Sequence, residues 1–370
     1  MGARMAGRIA DWRNARVADP AFQSWALSFP PTRPLVRKRQ KQLFDLTAGF
    51  VYSQILQACV QLDIFMILKA GPMNIAALAD RIGLERPACE RLVAAAASLS
   101  LLRFQAEWVR LDDLGAALVA NPGVQAMIAH HALFYRDLED PVALLRGEKT
   151  DTELCAFWGY ATERRPGTLG RERIDAYSHL MAASQAMVAA EVLAAYQFAR
   201  HRKLLDVGGG EGAFVSHVGR AHPVLQLATF DLPAVAARAR EKMHEAGLSA
   251  RFTAHSGSFF EDRLPLDADV VSLIRVLYDH DDEKVLTILS AVRAALPKGG
   301  VLVVAEPMAD TPGAEAMGSA YFGFYLMAMQ SGQCRNYKQI KYLLNQAGFQ
   351  TVKRLKSRSP VLTSVVTAMV

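Results

Sequence analysis

Apolar residues in the first part of the chain recur at helical spacing. Between Phe44 and Leu62 they follow one another at steps of three and four, which predicts one long helix with a single apolar stripe. Gly49–Leu68 is the most apolar stretch near the N-terminus, but polar side chains interrupt it. We therefore predict a core helix rather than a membrane span. The interrupting residues are Gln54, Gln57, Gln61 and Asp63.

A compact pattern of helices and short strands follows the Gly71-Pro72 break. Asn74 is placed to cap a helix over residues 75–82, Gly83 to end it, and residues 86–99 supply a second helix. A pair of helices followed by a two-stranded wing is typical of a winged helix. The two strand-like runs of this wing are Leu101–Phe104 and Trp108–Leu111.

The winged-helix pattern raises the alternative of a DNA-binding regulator, whose second helix would read the major groove. That helix contains the run Glu90–Ala97, in which the alanines indicate a buried face. It lacks the Asn, Gln or several Arg residues that base contacts need. The pattern favours packing or dimerisation over contact with nucleic acid.

From Lys203 onward, apolar strands alternate with helices. This order predicts an α/β domain with a parallel sheet and a ligand site at the carboxyl ends of its strands. Two final strands, near Thr351–Leu355 and Val361–Met369, are predicted to close the sheet as a pair. The strands predicted before them are Leu204–Val207, Leu227–Asp231, Ala268–Ile274 and Val301–Ala305.

The net charge of +6 on the 370-residue chain is concentrated at one end. Residues 1–42 hold nine Arg or Lys against two Asp, so the remainder of the chain is near neutral. This basic arm is either a solvated N-terminus or a surface that contacts an anionic membrane, and the charges alone leave both open. A chain of this length predicts two domains.

The four cysteines are scattered without metal-ligand spacing, and the N-terminus lacks the pattern of a signal peptide. We therefore predict a cytoplasmic protein without a metal site. If the basic arm contacts a membrane, that membrane would be the inner one.

A glycine-rich loop after a buried strand is the strongest chemical signal. Gly208, Gly210 and Gly212 stand where a backbone must turn tightly and approach a ligand closely. A dinucleotide pyrophosphate at this loop would be repelled by Asp206 and Glu211. S-adenosylmethionine has no phosphate, and its sulfonium and ammonium groups are cationic, so Asp206 suits its methionine amine.

A second acid at the end of the next strand supports this interpretation. Asp231 lies where an acidic side chain accepts hydrogen bonds from both ribose hydroxyls of a bound nucleoside. The alternative is that Asp206 and Asp231 only cap the helices that follow them, with Pro233 in the first turn.

Several short motifs resemble those of a known enzyme family. They are similar to the small-molecule O-methyltransferases of the caffeic acid and acetylserotonin type, over the winged-helix segment and the whole C-terminal domain. Residues 44–54 and 324–329 resemble more closely the bacterial hydroxyneurosporene (demethylspheroidene) O-methyltransferases of carotenoid synthesis. The motifs of the wider family lie at 204–212, 230–233, 257–260, 275–282 and 296–300.

The resemblance implies a Rossmann-like class I methyltransferase domain preceded by an all-α winged-helix dimerisation domain. The expected divisions are a basic arm over 1–42, a dimerisation domain over 43–170 and a methyltransferase domain over 171–370. The implied activity is methylation of the tertiary hydroxyl of a 1-hydroxycarotenoid by a homodimer that uses S-adenosylmethionine.

The resemblance also implies a set of cofactor-binding residues. Phe259 would flank the adenine, and Met181 and Ser184 would lie near the methionine part. Ser258 stands where relatives usually have an Asp that contacts adenine, which puts that contact in doubt. The whole expected set is Asp206, Gly208, Gly210, Asp231, Leu232, Ser258, Phe259, Arg275, Met181 and Ser184.

The chain departs from its phenol-methylating relatives at the expected catalytic base. Tyr278 replaces the usual His, and Cys334 replaces a Glu that orients it, whereas Glu306 matches the other orienting Glu. A phenol with a pKa of about 10 can lose its proton to His, but a tertiary alcohol is far less acidic. Alignment in a dry pocket would carry the reaction, and the proton would leave late, to Tyr278, His280 or water.

These candidate acceptors have structural alternatives. Tyr278 is either a hydrogen-bonding group or a buried ring beneath the site, and His280 either a proton acceptor or a solvated residue at a helix start. His130 and His131 precede an apolar helix and are either surface residues or part of a pocket.

The apolar segment Tyr321–Met329 is either core or the wall of a tunnel for a long apolar substrate. In the second case one face packs on the sheet, and the pocket residues are Phe322, Tyr325, Met329 and His131. The competing activities are methylation of another apolar hydroxyl compound, such as a phenol or a tetrapyrrole-related pigment, and regulation without turnover.

Overall fold

The computed structural model describes residues 2–158, 184–360 and 363–370. The chain divides into two compact units, Met1–Ala120 and Asn121–Val370, which are described separately. This division lies earlier in the chain than the boundary expected at 170. The reason is that the helices between 122 and 157 pack on a helix at 323–329 within the second unit.

The first unit consists of seven helices and a small sheet. The predicted basic arm is helical, and its last residues belong to the same long helix, Arg33–Gln61, as the apolar stripe that follows them. The helices are α1 (Gly2–Ala18), α2 (Pro20–Ser28), α3 (Arg33–Gln61), α4 (Ile64–Lys69), α5 (Ile75–Ile82), α6 (Arg86–Ser98) and α7 (Asp113–Val119).

The prediction of a core helix is wrong for most of α3. Only 11% of its most apolar window is buried, and Cys59 near its end is one of two buried residues. By length and composition alone, α3 is the one helix among the described residues that could cross a membrane. A contiguous exposed apolar surface of this kind is typical of an interaction surface. The exposed apolar residues of α3 include Leu43, Phe44, Leu46 and Phe50.

The segment between Asn74 and Leu111 has the predicted elements to within one residue. The side chain of Asn74 caps α5 by accepting a hydrogen bond from the backbone N of Ala76 at 2.9 Å, and Gly83 ends α5 in the left-handed conformation. The alanine run of α6 is buried on one side only, because Ala96 is buried and Ala94 is exposed. The assignment to the winged-helix class stays a prediction.

The short strands of this unit form an antiparallel sheet in the order β1-β3-β2. They are β1 (Met73–Asn74), β2 (Leu102–Gln105) and β3 (Trp108–Leu111).

The second unit is built on a seven-stranded sheet in the order β6-β5-β4-β7-β8-β10-β9. The first five strands in this order are parallel, and β10 runs antiparallel to both of its neighbours, as expected for a closing pair. The strands are β4 (Lys203–Val207), β5 (Gln226–Asp231), β6 (Phe252–Ser256), β7 (Val270–Ile274), β8 (Val301–Glu306), β9 (Gln350–Arg354) and β10 (Ser364–Met369).

Helices cover the sheet and form an additional layer of their own. The segment Met317–Phe322 is π-helical and continues directly into α15. The α-helices are α8 (Pro122–Asp137), α9 (Pro141–Leu145), α10 (Glu153–Phe157), α11 (Ser184–Ala195), α12 (Ala213–Ala221), α13 (Pro233–Glu245), α14 (Asp282–Ala295), α15 (Gly323–Met329) and α16 (Tyr337–Gln346).

The strands are apolar on both faces, so each face has its own core. On β4, Leu204 packs into one core and Leu205 into the other. The carboxyl ends of β4, β5, β7 and β8 meet at one edge of the sheet, which brings the Gly-rich loop and the second acid together.

Candidate functional site

The Gly-rich loop leaves the end of β4 and enters α12. Gly208, Gly210 and Gly212 have φ angles of 69°, 58° and 82°, which L side chains rarely adopt. A Cβ added to Gly208 would also lie 2.9 Å from Cγ2 of Val276. Conformation and close approach together explain why glycine stands there.

Asp206 lies beneath this loop and is 2% exposed. Its Oδ1 accepts a hydrogen bond of 2.5 Å from the hydroxyl of Ser272 on the neighbouring strand. A Cβ at Gly209 would lie 2.9 Å from Oδ2 of Asp206, so the backbone of the loop passes directly over the carboxyl group. Burial raises the pKa of Asp206 to about 7. Among the described residues, no cation contributes to the pKa of this carboxyl group.

Asp231 joins the end of β5 to the same loop. Its Oδ2 accepts a hydrogen bond from the backbone N of Gly210 and its Oδ1 one from the backbone N of Leu232, both at 2.8 Å. Burial is the main cause that raises its pKa. The interpretation of the two acids as helix caps is wrong, because α12 and α13 have Gly212 and Leu232 at their N-caps and no side-chain cap bond.

Glu211 does not present the uncompensated negative charge that the sequence analysis expected at the loop. It forms an ion pair of 2.9 Å with Arg238, so much of its charge is compensated. Repulsion of a phosphate ligand would therefore come from Asp206 and Asp231 rather than from Glu211.

Phe259 and His280 lie on one side of the loop. Cε1 of Phe259 is 3.7 Å from the position that a Cβ of Gly208 would take. The ring of His280 packs edge-on at 5.9 Å from that of Phe259 and 5.3 Å from that of Phe260. Burial lowers the pKa of His280 to about 4. His280 is thus not a solvated helix-start residue, and the side chain that caps α14 is that of Asp281.

Ser258 precedes these rings and faces an acid within its own loop. Its backbone N donates to Oδ2 of Asp262 at 2.8 Å, and its hydroxyl accepts from the backbone N of Phe260 at 3.3 Å.

Arg275 connects the sheet edge to α11. It has a φ of 58°, unusual for a residue with a side chain. Its Nη1 donates to the hydroxyl of Ser184 at 3.0 Å, and its Nη2 donates to the hydroxyl of Tyr278 at 3.4 Å. Met181, which is expected near Ser184, lies outside the described residues.

Tyr278 combines the two interpretations that the sequence left open, since it is 7% exposed and also hydrogen-bonded. Its ring packs edge-on at 6.2 Å from that of Phe322. Burial raises the pKa of its hydroxyl well above the usual value, so Tyr278 is a poor source of phenolate.

Glu306 holds the backbone that carries Tyr278. Its Oε1 accepts hydrogen bonds from the backbone N of Val276 at 3.0 Å and of Leu277 at 2.8 Å. Within the described part of the chain, Oε2 of Glu306 and Oδ1 of Asp279 are buried without a hydrogen-bond partner. Burial raises the pKa of Glu306 to about 8 and that of Asp279 to about 7.

Arg335 is a positioning residue that the sequence did not indicate. Only 2% exposed, it donates to the carbonyls of Leu277 and His280 at 2.8 Å and to the carboxylate of Asp282 at 2.7 Å. In the sequence, Arg335 is a single Arg next to Cys334 and belongs to no recognisable motif. Nothing in the sequence pattern therefore indicates its role.

The segment Tyr321–Met329 does not pack on the sheet as the tunnel alternative required. Its residues join α8 and α10 in an aromatic cluster of their own instead of lying on the sheet. Tyr325 and Met329 are buried, and Phe322 is partly buried against them. The members of this aromatic cluster include Phe134, Trp158, Tyr278, Tyr321, Phe322, Tyr325, Leu326 and Met329.

His130 and His131 lie inside α8, and neither is a free surface residue. Nε2 of His130 is 2.7 Å from the hydroxyl of Tyr325, and Nε2 of His131 is 2.8 Å from the hydroxyl of Tyr321. Burial lowers the pKa of both imidazoles, which favours their neutral forms.

Two family models match the chain. One, described as an O-methyltransferase dimerisation domain, matches residues 44–121. The other, described as an O-methyltransferase domain, matches residues 135–350. The two ranges include the part of α3 from residue 44 onward in the first unit and the whole of the Gly-rich loop in the second.

The chain is also similar to two bacterial proteins named demethylspheroidene O-methyltransferase. It is 43% identical to that of Cereibacter sphaeroides over 94% of this chain and 92% of the relative. It is 40% identical to that of Rhodobacter capsulatus over 92% of this chain and 84% of the relative. The solved human N-acetylserotonin methyltransferase in complex with S-adenosylmethionine is 22% identical, with a TM-score of 0.73, over 90% of this chain and 97% of that one.

Proposed function

The chain belongs to the O-methyltransferase family that joins a dimerisation domain to a class I methyltransferase domain, and we propose that it methylates the tertiary hydroxyl of a 1-hydroxycarotenoid. The methyl donor is S-adenosylmethionine, as in the family. When bound, this cofactor supplies an electrophilic methyl group on a sulfonium centre. The dimerisation domain supports a homodimer.

The residues at the Gly-rich loop fit this cofactor. Asp206 is a buried acid whose raised pKa falls again once a cation is near, which suits the methionine amine. Asp231 holds the loop through Oδ2 and the start of α13 through Oδ1, and a carboxylate at this strand end suits two ribose hydroxyls, since each oxygen has more than one lone pair. The cradle formed by Gly208 and Gly210 would let a ligand approach the backbone closely.

Other residues around the loop complete the proposed cofactor site. Leu232 and Phe259 would contact the adenine, with Ser258 beside them in place of the Asp of relatives, and Arg275 and Ser184 would lie at the methionine part, together with Met181. The hydrogen bond from Arg275 to Ser184 supports placing both residues at the same part of the cofactor.

One observation carries the choice of substrate: Tyr278, where phenol-methylating relatives have a His, is buried in an aromatic cluster. The side chains in this cluster present rings, methionine sulfur, hydroxyls and imidazoles, which suit a long polyene with one hydroxyl group. The names of the two most similar relatives described above support the same class. The proposed pocket residues are Phe322, Tyr325, Met329 and His131.

The test is incubation of the full-length dimer with extracted 1-hydroxycarotenoids and isotopically labelled S-adenosylmethionine, followed by mass analysis. We expect one labelled methyl group on the carotenoid. A parallel incubation with phenols and with tetrapyrrole-related pigments is the comparison. Faster methylation of either of those, with no gain on the carotenoid, would contradict the proposed substrate.

Replacement of Tyr278 by Phe should retain appreciable turnover. The ring keeps its packing against Phe322, and the hydroxyl, whose pKa burial raises, stays protonated at neutral pH and supplies no phenolate base. We expect kcat to fall by less than about tenfold, below the range of a general base. Measured Kd for S-adenosylmethionine should not change. A variant that binds cofactor normally but lacks measurable turnover would make Tyr278 catalytic.

We further propose that the protein is cytoplasmic and contacts the inner membrane through α1. Met5, Ile9 and Trp12 follow one another at steps of four and three on this helix and are each at least 60% exposed. Arg16 lies on the same side, with its guanidinium 5.9 Å from the ring centroid of Trp12. An exposed apolar stripe bordered by arginines is typical of a helix lying in an anionic membrane surface.

Sedimentation with vesicles containing phosphatidylglycerol tests this contact. We expect Trp12→Glu, on the apolar stripe, to weaken binding about tenfold or more, because it removes an apolar anchor and adds a negative charge. Asn14→Glu makes the same charge change on the opposite side of α1 and should bind nearly as the wild type does. Equal binding by both variants would exclude the stripe as the contact.

A further inference from the structure

Two His–Tyr pairs run in parallel from α8 to the segment 317–329. His130 pairs with Tyr325 and His131 with Tyr321, and both pairs belong to the second unit of the chain. Adjacent histidines of one helix therefore meet tyrosines one helical turn apart.

The two tyrosine hydroxyls differ in what their oxygens already bind. Tyr325 is 4% exposed, and its oxygen accepts from Nε1 of Trp158 at 2.8 Å while it pairs with His130. Tyr321 is partly exposed, and within the described ranges its hydroxyl has His131 as its only hydrogen-bond partner. A hydroxyl that donates to an imidazole retains lone pairs for one more donor.

Tyr321 is also connected to Arg275 through the aromatic cluster, because Tyr278 of this cluster accepts a hydrogen bond from Arg275. Its ring packs edge-on at 5.0 Å from that of Phe322, which in turn packs against Tyr278. The positive charge of Arg275 opposes the burial that raises the pKa of Tyr321, so the guanidinium acts on this hydroxyl through space. Tyr321 belongs to the π-helical turn, a distortion frequent at functional sites.

We propose that Tyr321 and His131 form the proton relay that replaces the missing base: Tyr321 accepts the proton of the substrate hydroxyl as its own proton passes to Nε2 of His131. This inference rests on the proposed O-methylation of an alcohol. As the hydroxyl oxygen bonds to the methyl carbon, the carbon–sulfur bond of the donor breaks and its electron pair stays on sulfur. The proton ends on His131, which then releases one to solvent.

A weak base is sufficient for this step. Once the new carbon–oxygen bond forms, the oxygen carries positive charge, and its proton becomes far more acidic than that of the free alcohol. Burial lowers the pKa of His131, which keeps its imidazole neutral at neutral pH, and the relay uses the tautomer whose proton is on Nδ1. The guanidinium of Arg275 would stabilise the transient negative charge on Tyr321.

The sharpest test compares His131→Gln with His130→Gln. Glutamine retains a polar end near the place of Nε2 but has no basic nitrogen. We expect His131→Gln to lower kcat about 100-fold with unchanged KM for the carotenoid and unchanged Kd for the cofactor. His130→Gln, the same change one residue away, should keep kcat within about threefold of the wild type.

Chemical rescue of the His131→Ala variant separates a role in proton transfer from a purely structural role. The measured quantity is turnover in the presence of an added small molecule. Imidazole should restore turnover, whereas pyrrole, which has the same shape and no basic nitrogen, should not. Equal rescue by both, or a kcat of His131→Gln within threefold of the wild type, would overturn the relay. A wild-type enzyme that leaves the carotenoid unmethylated would instead overturn the proposed function.

Discussion

Replacement of Asp206 by Ala should remove measurable binding of S-adenosylmethionine. The carboxylate is buried beneath the Gly-rich loop, so its attraction to a bound cation is little screened by water. Losing one partner of a buried charge pair costs about 2 to 5 kcal/mol, at least about thirtyfold in Kd. Titration calorimetry of the purified dimer measures this directly.

Two control variants separate charge from shape at this position. Asp206→Asn keeps an oxygen for the hydroxyl of Ser272 but removes the charge, so it should lose most of the affinity too. Ser272→Ala removes only the supporting hydrogen bond of 2.5 Å and should weaken binding far less. Binding of Asp206→Asn as tight as that of the wild type would show that the charge is not the contact.

The pH dependence of binding gives a further check on Asp206. Burial raises the pKa of this carboxyl to about 7 in the free protein, whereas a bound cation favours its ionised form. Cofactor binding therefore releases a proton below pH 7, and wild-type affinity should rise from pH 5.5 toward pH 7. The affinity of Asp206→Asn should lack this rise, because the amide does not titrate.

The buried parallel strands and the Gly-rich loop could be predicted because local signals agree there. The buried strand β4 reads as an apolar run, and the glycines that follow need φ values that other residues avoid. The strand β6 was missed because it lies at the sheet edge and only Ala254 of it is buried. An edge strand covered on one side has no continuous apolar run to detect.

The aromatic cluster could not be predicted because its contacts join residues far apart in sequence. His131 and Tyr321 are 190 positions apart, and periodicity within either helix does not indicate which side chains meet. The same limit applies to α3, whose apolar stripe predicted a core helix although most of its apolar window is exposed in this chain. A stripe that a second copy of the chain covers has the same spacing as one that faces its own core.

For Glu306, the resemblance to the O-methyltransferase family identified the residue but not its role in this chain. The His that a relative's Glu would orient is absent, since Tyr278 stands in its place. The structure instead gives Glu306 two backbone partners, Val276 and Leu277, at the turn that carries Tyr278. We therefore infer that Glu306 positions this turn, together with Arg335 on its other side.

Replacement of Glu306 by Leu should lower the free energy of unfolding by about 2 to 5 kcal/mol, because two buried backbone N–H groups lose their acceptor. Glu306→Gln is the matched control, since an amide oxygen can still accept both bonds.

Burial raises the pKa of Glu306 to about 8, so the native state favours a neutral group and the wild type loses stability as pH rises from about 4.5 through 8. Glu306→Gln should thus gain stability relative to the wild type between pH 6 and pH 9, as measured by urea unfolding. Similar losses in the Leu and Gln variants would mean that the hydrogen bonds to Val276 and Leu277 contribute little.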